Sequence, residues 1–425
     1  MNITQAIRDQ KQELMESFQN RRLIGRDVSK RVEKFLGSRL IKVVTGVRRS
    51  GKSVIIYMNM KDKKFAYMNF DDDRLIGLSS EQILPAFYEV YGKYFKYIFL
   101  DEIQNLKNWE LFVNRLHRTG FNVIITGSNS RLLSKEMATH LTGRHTAIEL
   151  FPFSFKEYLD SVGFSEDIQT TKGQSLLKGF LKKYTISGGF PEVVVEKEDP
   201  KNYTRELYRK IIERDIVERY NISHKKTFRE IAVTLLNNPG RMVSYNKLKK
   251  QFNLGSEHTV KNYISYLEEA YLIFLLSRFS YKPVEVEKSE KKIYAIDTGF
   301  VNSFVYKFSE DHGHVYENLV AIELMRQKSS NHDIDIFYWK NVQHEEVDFV
   351  VKNGTNVKQL IQVCYNISDI KTKEIEMRVL LKAGKELRCK NMVVITEDYE
   401  SEENLEWFGI KGRIKFIPLW KWLLD

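Results

Sequence analysis

Gly46-Val47-Arg48-Arg49-Ser50-Gly51-Lys52-Ser53 is a run of residue types suited to phosphate. A glycine, four free positions, a second glycine, a lysine and a serine gather backbone N–H groups, one ammonium and one hydroxyl at a single turn. In such a loop the N–H groups, continued by Val54, and the positive end of the following helix hold phosphate oxygens. Lys52 would reach the terminal phosphates, and Ser53 would give an oxygen to Mg²⁺. Gly46 and Gly51 permit backbone angles and a close approach that a side chain would block. A second group, Asp101-Glu102, ends the apolar run Tyr97 to Leu100, 49 residues beyond Lys52. Asp101 would hold Mg²⁺ and Glu102 would polarise the attacking water. A third group, Gly127-Ser128-Asn129, follows the apolar run Val123 to Ile125. Ser128 or Asn129 would contact the γ-phosphate and the water. A plain turn after a strand is the alternative, and the sequence does not separate the two residues. Together the groups support Mg²⁺-dependent splitting of ATP.

Such residues need a scaffold. Leu40 to Val44 is a short, β-branched apolar run that reads as a buried strand, and Val54 to Met60 reads as a helix packed on a sheet. The glycine-rich turn therefore lies between a strand and a helix N-terminus, as the motif requires. The spacing to Asp101 leaves room for one or two βα units. Asp71 to Asp73 read as a solvated turn, with lining of the site as the alternative.

The rest of the chain carries different signals. Phe155 to Tyr220 reads as helices with charges four residues apart, Arg209 with Glu213 and Asp215 with Arg219, the pattern of a solvated face. A small helical lid fits this segment. Beyond it come a helix stopped by Asn238-Pro239-Gly240, a short helix capped by Ser244, and a third helix opening at Ser256. In the third, Val260, Ile264, Leu267 and Tyr271 share one face, and His258, Thr259, Lys261, Asn262 and Ser265 share the opposite one. Two apolar strands around a polar hairpin complete a winged helix-turn-helix pattern. Residues 223–282 hold ten Lys or Arg and four Asp or Glu, a net of +6 within a chain total of +11. Phosphate contacts with DNA follow from that placement; a joint between proteins is the alternative.

The totals set bounds. At 425 residues the chain calls for several domains, and 42% apolar content suffices for their cores. Two cysteines, Cys364 and Cys389, rule out a disulfide framework and a cysteine-rich metal site, which points to a reduced, cytoplasmic setting. The longest apolar stretch, Ala270 to Leu276, is far too short to span a bilayer, and the polar N-terminus lacks a signal core.

Read in order, "VVTGVRRSGKS", "FAYMNFDDDRL", "YIFLDEIQNLKNWELFVNRL", "VIITGSNSRLLS", "LTGRHTAIELFPFSFKEYL" and "SGGFPEVV" resemble a family of archaeal and bacterial AAA-type ATPases of the AAA+ superfamily. That family carries a winged-helix module and a C-terminal domain of unknown function, the 4143 type, itself similar to PD-(D/E)XK nucleases. The resemblance implies an α/β fold: a P-loop NTPase parallel-sheet core over 1–154, a helical lid over 155–222, a winged helix-turn-helix over 223–290, and a restriction-endonuclease-like α/β domain over 291–425. It implies ATP and Mg²⁺ as ligands and a homo-oligomeric ring in which Arg144 serves a neighbouring subunit's γ-phosphate. It also implies that Gly188 to Pro191 contact adenine, through Pro191.

In the C-terminal domain, Glu317 and Asp348 match the nuclease carboxylates. The third element departs from the pattern. Gln362 stands where a carboxylate belongs and Cys364 where a lysine belongs, so this domain is expected to bind rather than cut, with Glu345 or Glu346 as migrated carboxylates in the contrary case. The function expected is an ATPase that couples turnover to DNA binding or remodelling. The alternatives are a signal-transducing ATPase switch acting on a protein partner and an ATP-gated DNA nuclease.

Overall fold

The computed structural model describes residues 3–19, 22–133, 143–304, 312–367 and 370–425. The chain divides into two compact units, Met1–Phe153 with Glu269–Tyr271, and Ser154–Glu268 with Leu272–Asp425.

The first unit alternates helix and strand. In chain order it runs α1 (Ile3–Gln19), α2 (Ser29–Leu36), β1 (Ile41–Thr45), α3 (Lys52–Met60), β2 (Phe65–Asn69), α4 (Ile83–Tyr91), β3 (Tyr97–Asp101), α5 (Trp109–Arg118), β4 (Asn122–Gly127) and β5 (His145–Glu149). The strands form one parallel sheet in the order β2-β3-β4-β1-β5. Alternation sends Val43, Met68, Leu100 and Ile125 to a core covered by α4, α5 and the start of α1. It sends Val44, Tyr67, Phe99 and Ile124 to a second core covered by α2, α3 and the end of α1. Strands buried on both faces explain the near-continuous apolar runs. The order also puts β4 between the strand that feeds the phosphate loop and the strand that ends in Asp101. Three strand ends thus meet at one edge of the sheet.

The second unit opens with α6 (Phe155–Val162), whose first turn is fixed by a reciprocal cap between Ser154 and Glu157. There follow α7 (Thr171–Ser187), α8 (Pro191–Val195) and α9 (Pro200–Lys210), which continues as a π-helical stretch over Ile211–Glu218. The π winding changes the side-chain phase, so the expected Arg209–Glu213 pair is not the one formed. Glu213 pairs with Arg229 at 2.7 Å and Arg209 with Glu206 at 3.8 Å, whereas Asp215–Arg219 is present at 3.9 Å.

Next come α10 (Lys225–Leu236), β6 (Met242–Val243), α11 (Tyr245–Gln251), α12 (Glu257–Glu269), β7 (Ile273–Ser277), α13 (Pro283–Lys288) and β8 (Lys291–Ala295). Ser244 caps α11 and the Ser256 hydroxyl accepts from Thr259 N–H at the start of α12. β6, β8 and β7 make an antiparallel sheet. The stretch between β7 and β8 contains a short helix rather than a bare hairpin, opened by Pro283 at its first turn. Val260, Ile264 and Leu267 are buried as the helical spacing predicts. Tyr271 lies past the end of α12 at φ 59°, belongs to the first unit, and donates to Thr45 Oγ1 at 2.9 Å.

The remainder is α14 (Thr298–Phe304), α15 (His312–Ser330), β9 (Ile334–Lys340), β10 (Glu346–Asn353), β11 (Asn356–Val363), α16 (Ile370–Glu386), β12 (Met392–Thr396), β13 (Ser401–Trp407), β14 (Ile410–Pro418) and α17 (Leu419–Trp422). Its six strands form a mixed sheet in the order β13-β14-β12-β11-β10-β9. No described helix is long and apolar enough to cross a membrane.

Candidate functional site

The phosphate loop leaves β1 at Thr45 and enters α3 at Lys52. Gly46 sits at φ 142°, and a Cβ there would meet the Leu150 carbonyl oxygen at 2.0 Å. Gly51 caps α3 in the left-handed region at φ 93°. Both glycines are therefore required by the backbone path. Lys52 is buried, and its Nζ donates to the carbonyls of Gly46 and Val47, each at 3.1 Å. It also lies 3.7 Å from Glu102 Oε1. The Ser50 hydroxyl is buried and has no hydrogen-bond partner among the described residues. A concave turn with an orphaned hydroxyl and an ammonium resting on its own carbonyls fits a polyphosphate, which would supply the missing partners.

The acidic pair meets this loop. Ser53 Oγ donates to Asp101 Oδ2 at 2.6 Å, so two hard oxygen donors adjoin at the helix start, a donor set that fits Mg²⁺. Tyr67 OH donates to the same carboxylate oxygen at 3.3 Å, and Thr126 Oγ1 donates to Oδ1. Glu102 stands at φ 50°, a left-handed backbone that bends its side chain off the strand path. Its Oε2 accepts from Ser128 Oγ at 3.0 Å and from Gln104 Nε2 at 2.5 Å. Burial, and then the charge of Glu102, push the Asp101 carboxyl up. Burial works the same way on Glu102, but Lys52 and Arg48 outweigh it and hold that carboxyl below its ordinary value.

The structure separates the two residues that the sequence left together. Ser128 faces Glu102, whereas Asn129 turns its Oδ1 to the backbone N–H of Arg131. Thr126, Gln104 and Tyr67 escaped the sequence reading, since each is a lone polar residue in an apolar or turn context. Arg26 also escaped. Its buried guanidinium donates to the carbonyls of Ser50 at 2.9 Å and Phe151 at 2.6 Å and lies over the Phe153 ring. Asp71 is not a free turn residue: it pairs with Arg48 of the loop at 3.0 Å, while Asp72 binds Arg74.

Other expected residues belong to other elements. Arg144 is exposed and immediately precedes β5, where its carbonyl accepts from Ile41 N–H at the start of β1. The phosphate loop leaves the opposite end of β1, so this arginine does not reach the loop of its own chain. Gly188 to Pro191 lie in the second unit. Gly188 closes α7 at φ 73°, Phe190 is fully buried, and Pro191 opens α8. Asp297 holds this turn, accepting from the N–H groups of Gly189 and Gly299, each at 2.8 Å.

A second cluster occupies the C-terminal part. Glu317 on α15 and Asp348 on β10 meet at one buried lysine, and Gln362 on β11 joins them by accepting from Asp348 N–H at 3.1 Å. At the centre lies Lys292 from β8, buried, with its Nζ 2.9 Å from Glu317, 2.6 Å from Glu346 and 3.0 Å from Asp348. Tyr294 OH donates to Glu317 at 2.8 Å and Val363 N–H to Asp348 at 3.0 Å. Glu345 is excluded, since it pairs with Lys382 at 2.7 Å and Arg378 at 3.1 Å. The Cys364 thiol is pushed up to about 11, mainly by burial, and offers no cation. Among the described residues no group of three or more His, Cys, Asp or Glu side chains is set to hold a metal ion.

A five-stranded parallel sheet with a phosphate loop, an acidic pair at the end of a non-adjacent strand and a polar residue on the strand between them is the arrangement of a P-loop nucleotide-binding core. Residues 38–159 match the family described as AAA domain, and residues 179–311 and 312–422 match two domains of unknown function, DUF8612 and DUF4143. The chain belongs to the same family as "Uncharacterized protein MJ1544" of Methanocaldococcus jannaschii, with 38% identity across 90% of this chain and 88% of that one. An "Uncharacterized protein" of Haemophilus influenzae is 28% identical over 92% of this chain and 96% of its own length. Among solved structures, "The walker-type atpase paby2304 of pyrococcus abyssi" is similar at 14% identity and TM-score 0.43, covering 65% of this chain and 94% of that one.

Proposed function

We propose that this chain hydrolyses ATP with Mg²⁺ and couples the turnover to binding or remodelling DNA. The observation that carries the first half is the meeting of Ser53 with Asp101, and of Lys52 and Ser128 with Glu102, at one edge of the sheet. Lys52 and the loop N–H groups would bind the phosphates. Ser53 and Asp101 would hold Mg²⁺, which when bound neutralises phosphate charge. Glu102 would orient the attacking water and take its proton, with Ser128 and Gln104 fixing that carboxylate.

The second half rests on α10 to β8, which we read as a winged helix-turn-helix. His258, Lys261 and Ser265 are exposed on the outer face of α12, and Lys247 and Lys250 are exposed on α11. These groups fit phosphate contacts. We read the domain over 291–425 as nuclease-like and non-cutting, because Gln362 and Cys364 stand in the third element.

The test is steady-state ATP hydrolysis with and without double-stranded and branched DNA at low and moderate salt. Mg²⁺-dependent turnover that Lys52→Ala abolishes, and that DNA stimulates less as salt rises, is expected. Turnover indifferent to DNA would shift the reading to a switch acting on a protein partner. No turnover under any condition would overturn the assignment.

A further inference from the structure

Three carboxylate oxygens from two elements, Glu317 Oε1, Glu346 Oε1 and Asp348 Oδ1, lie 2.6 to 3.0 Å from one point, the Nζ of Lys292. The ammonium arrives from a third element, β8, and is buried. The cluster is closed on another side by Gly240, where a Cβ would meet the Glu317 carboxylate at 2.6 Å. Carboxylate oxygens around a divalent cation stand at roughly 2.0–2.6 Å. The oxygens therefore need to close in by a few tenths of an ångström for a larger cation and by up to about 1 Å for a smaller one. Two buried carboxylates, Glu317 and Asp348, and a partly exposed third, Glu346, share this single ammonium, and a dication would balance their charge better.

We infer that Lys292 is an internal stand-in for a divalent cation, and that removing its ammonium converts Glu317, Glu346 and Asp348 into a cation site with hard oxygen donors. This bears on the nuclease-like reading of the domain but does not depend on it, since it concerns cation binding alone. It supplies a second reason for silence in this domain besides Gln362: the place of the metal is filled from within the chain.

The experiment uses the full-length protein without nucleotide and follows free Mn²⁺ by its electron paramagnetic resonance signal. Lys292→Met should take up one Mn²⁺ per chain beyond what the wild type binds, and Lys292→Met/Asp348→Asn should lose that extra ion. Mn²⁺ should also raise the melting temperature of Lys292→Met and leave that of the wild type unmoved by comparison. A folded Lys292→Met that gains no Mn²⁺ would overturn the inference, as would an Asp348-dependent Mn²⁺ already present in the wild type. Should Lys292→Met fail to fold alone, recovery of its near-ultraviolet circular dichroism on refolding with Mn²⁺ supports the inference. If Mn²⁺ does not restore it, and Lys292→Met/Glu346→Gln folds without gaining Mn²⁺, the inference fails.

Discussion

At the residue scale, Glu102 carries the proposed chemistry because Gln104, Ser128 and Lys52 hold its carboxylate beside the phosphate loop. A carboxylate that only positions and deprotonates water is dispensable for binding. Glu102→Gln is therefore expected to keep ATP affinity while turnover falls by about 10²–10⁴-fold, the usual worth of a general base. Nucleotide retention and single-turnover hydrolysis of the variant check this, and near-wild-type turnover would remove Glu102 from its role. Much of this site was legible. The loop and the acidic pair are contiguous strings whose flanking runs announce their strands. Thr126 and Gln104 were not legible, because a single hydroxyl or amide beside a motif has no spacing to mark it. Lys292 was hidden for a related reason: its partners lie 25 to 56 residues away, on other elements.

At the element scale, the turn between α7 and α8 is tied to the start of α14 through one carboxylate. Burial pushes Asp297 from 3.8 to about 6, against the bonds from Gly189 and Gly299 and the charge of Arg326. Its folded value lies above its unfolded one, so the folded state binds the proton more tightly. The contribution of Asp297 to stability is then greatest below pH 4 and declines as pH rises through 6, by roughly 3 kcal/mol in all. Urea unfolding between pH 4 and 7 should show this decline in the difference between wild type and Asp297→Asn, and a flat difference would contradict it. The capped helices and apolar strands around this turn were readable from pattern. The π-helical stretch and Tyr271 were not, since packing rather than local preference sets their backbone.

At the scale of the whole molecule, Arg144 sits at the end of the sheet opposite its own phosphate loop, so any contact with a γ-phosphate must come from another copy. Arg144→Ala should bind ATP normally and turn over at least about tenfold more slowly, consistent with losing one transition-state donor. Mixing it with Lys52→Ala, which keeps the arginine but lacks the phosphate lysine, should restore part of the activity. Two inactive variants that stay inactive together would argue against action between subunits.

The Arg26 guanidinium has a practical corollary for dissecting this protein. It satisfies two buried carbonyls, that of Ser50 in the phosphate loop and that of Phe151, 125 residues beyond Arg26 itself. The AAA match begins only at residue 38. A fragment trimmed to that boundary would discard Arg26 together with the buried side chains of α1, including Ile7, Leu14 and Phe18. Each orphaned carbonyl costs about 1–3 kcal/mol, before any apolar surface is counted. The smallest piece of the first unit that folds by itself is therefore expected to begin well upstream of residue 38, where the AAA match begins.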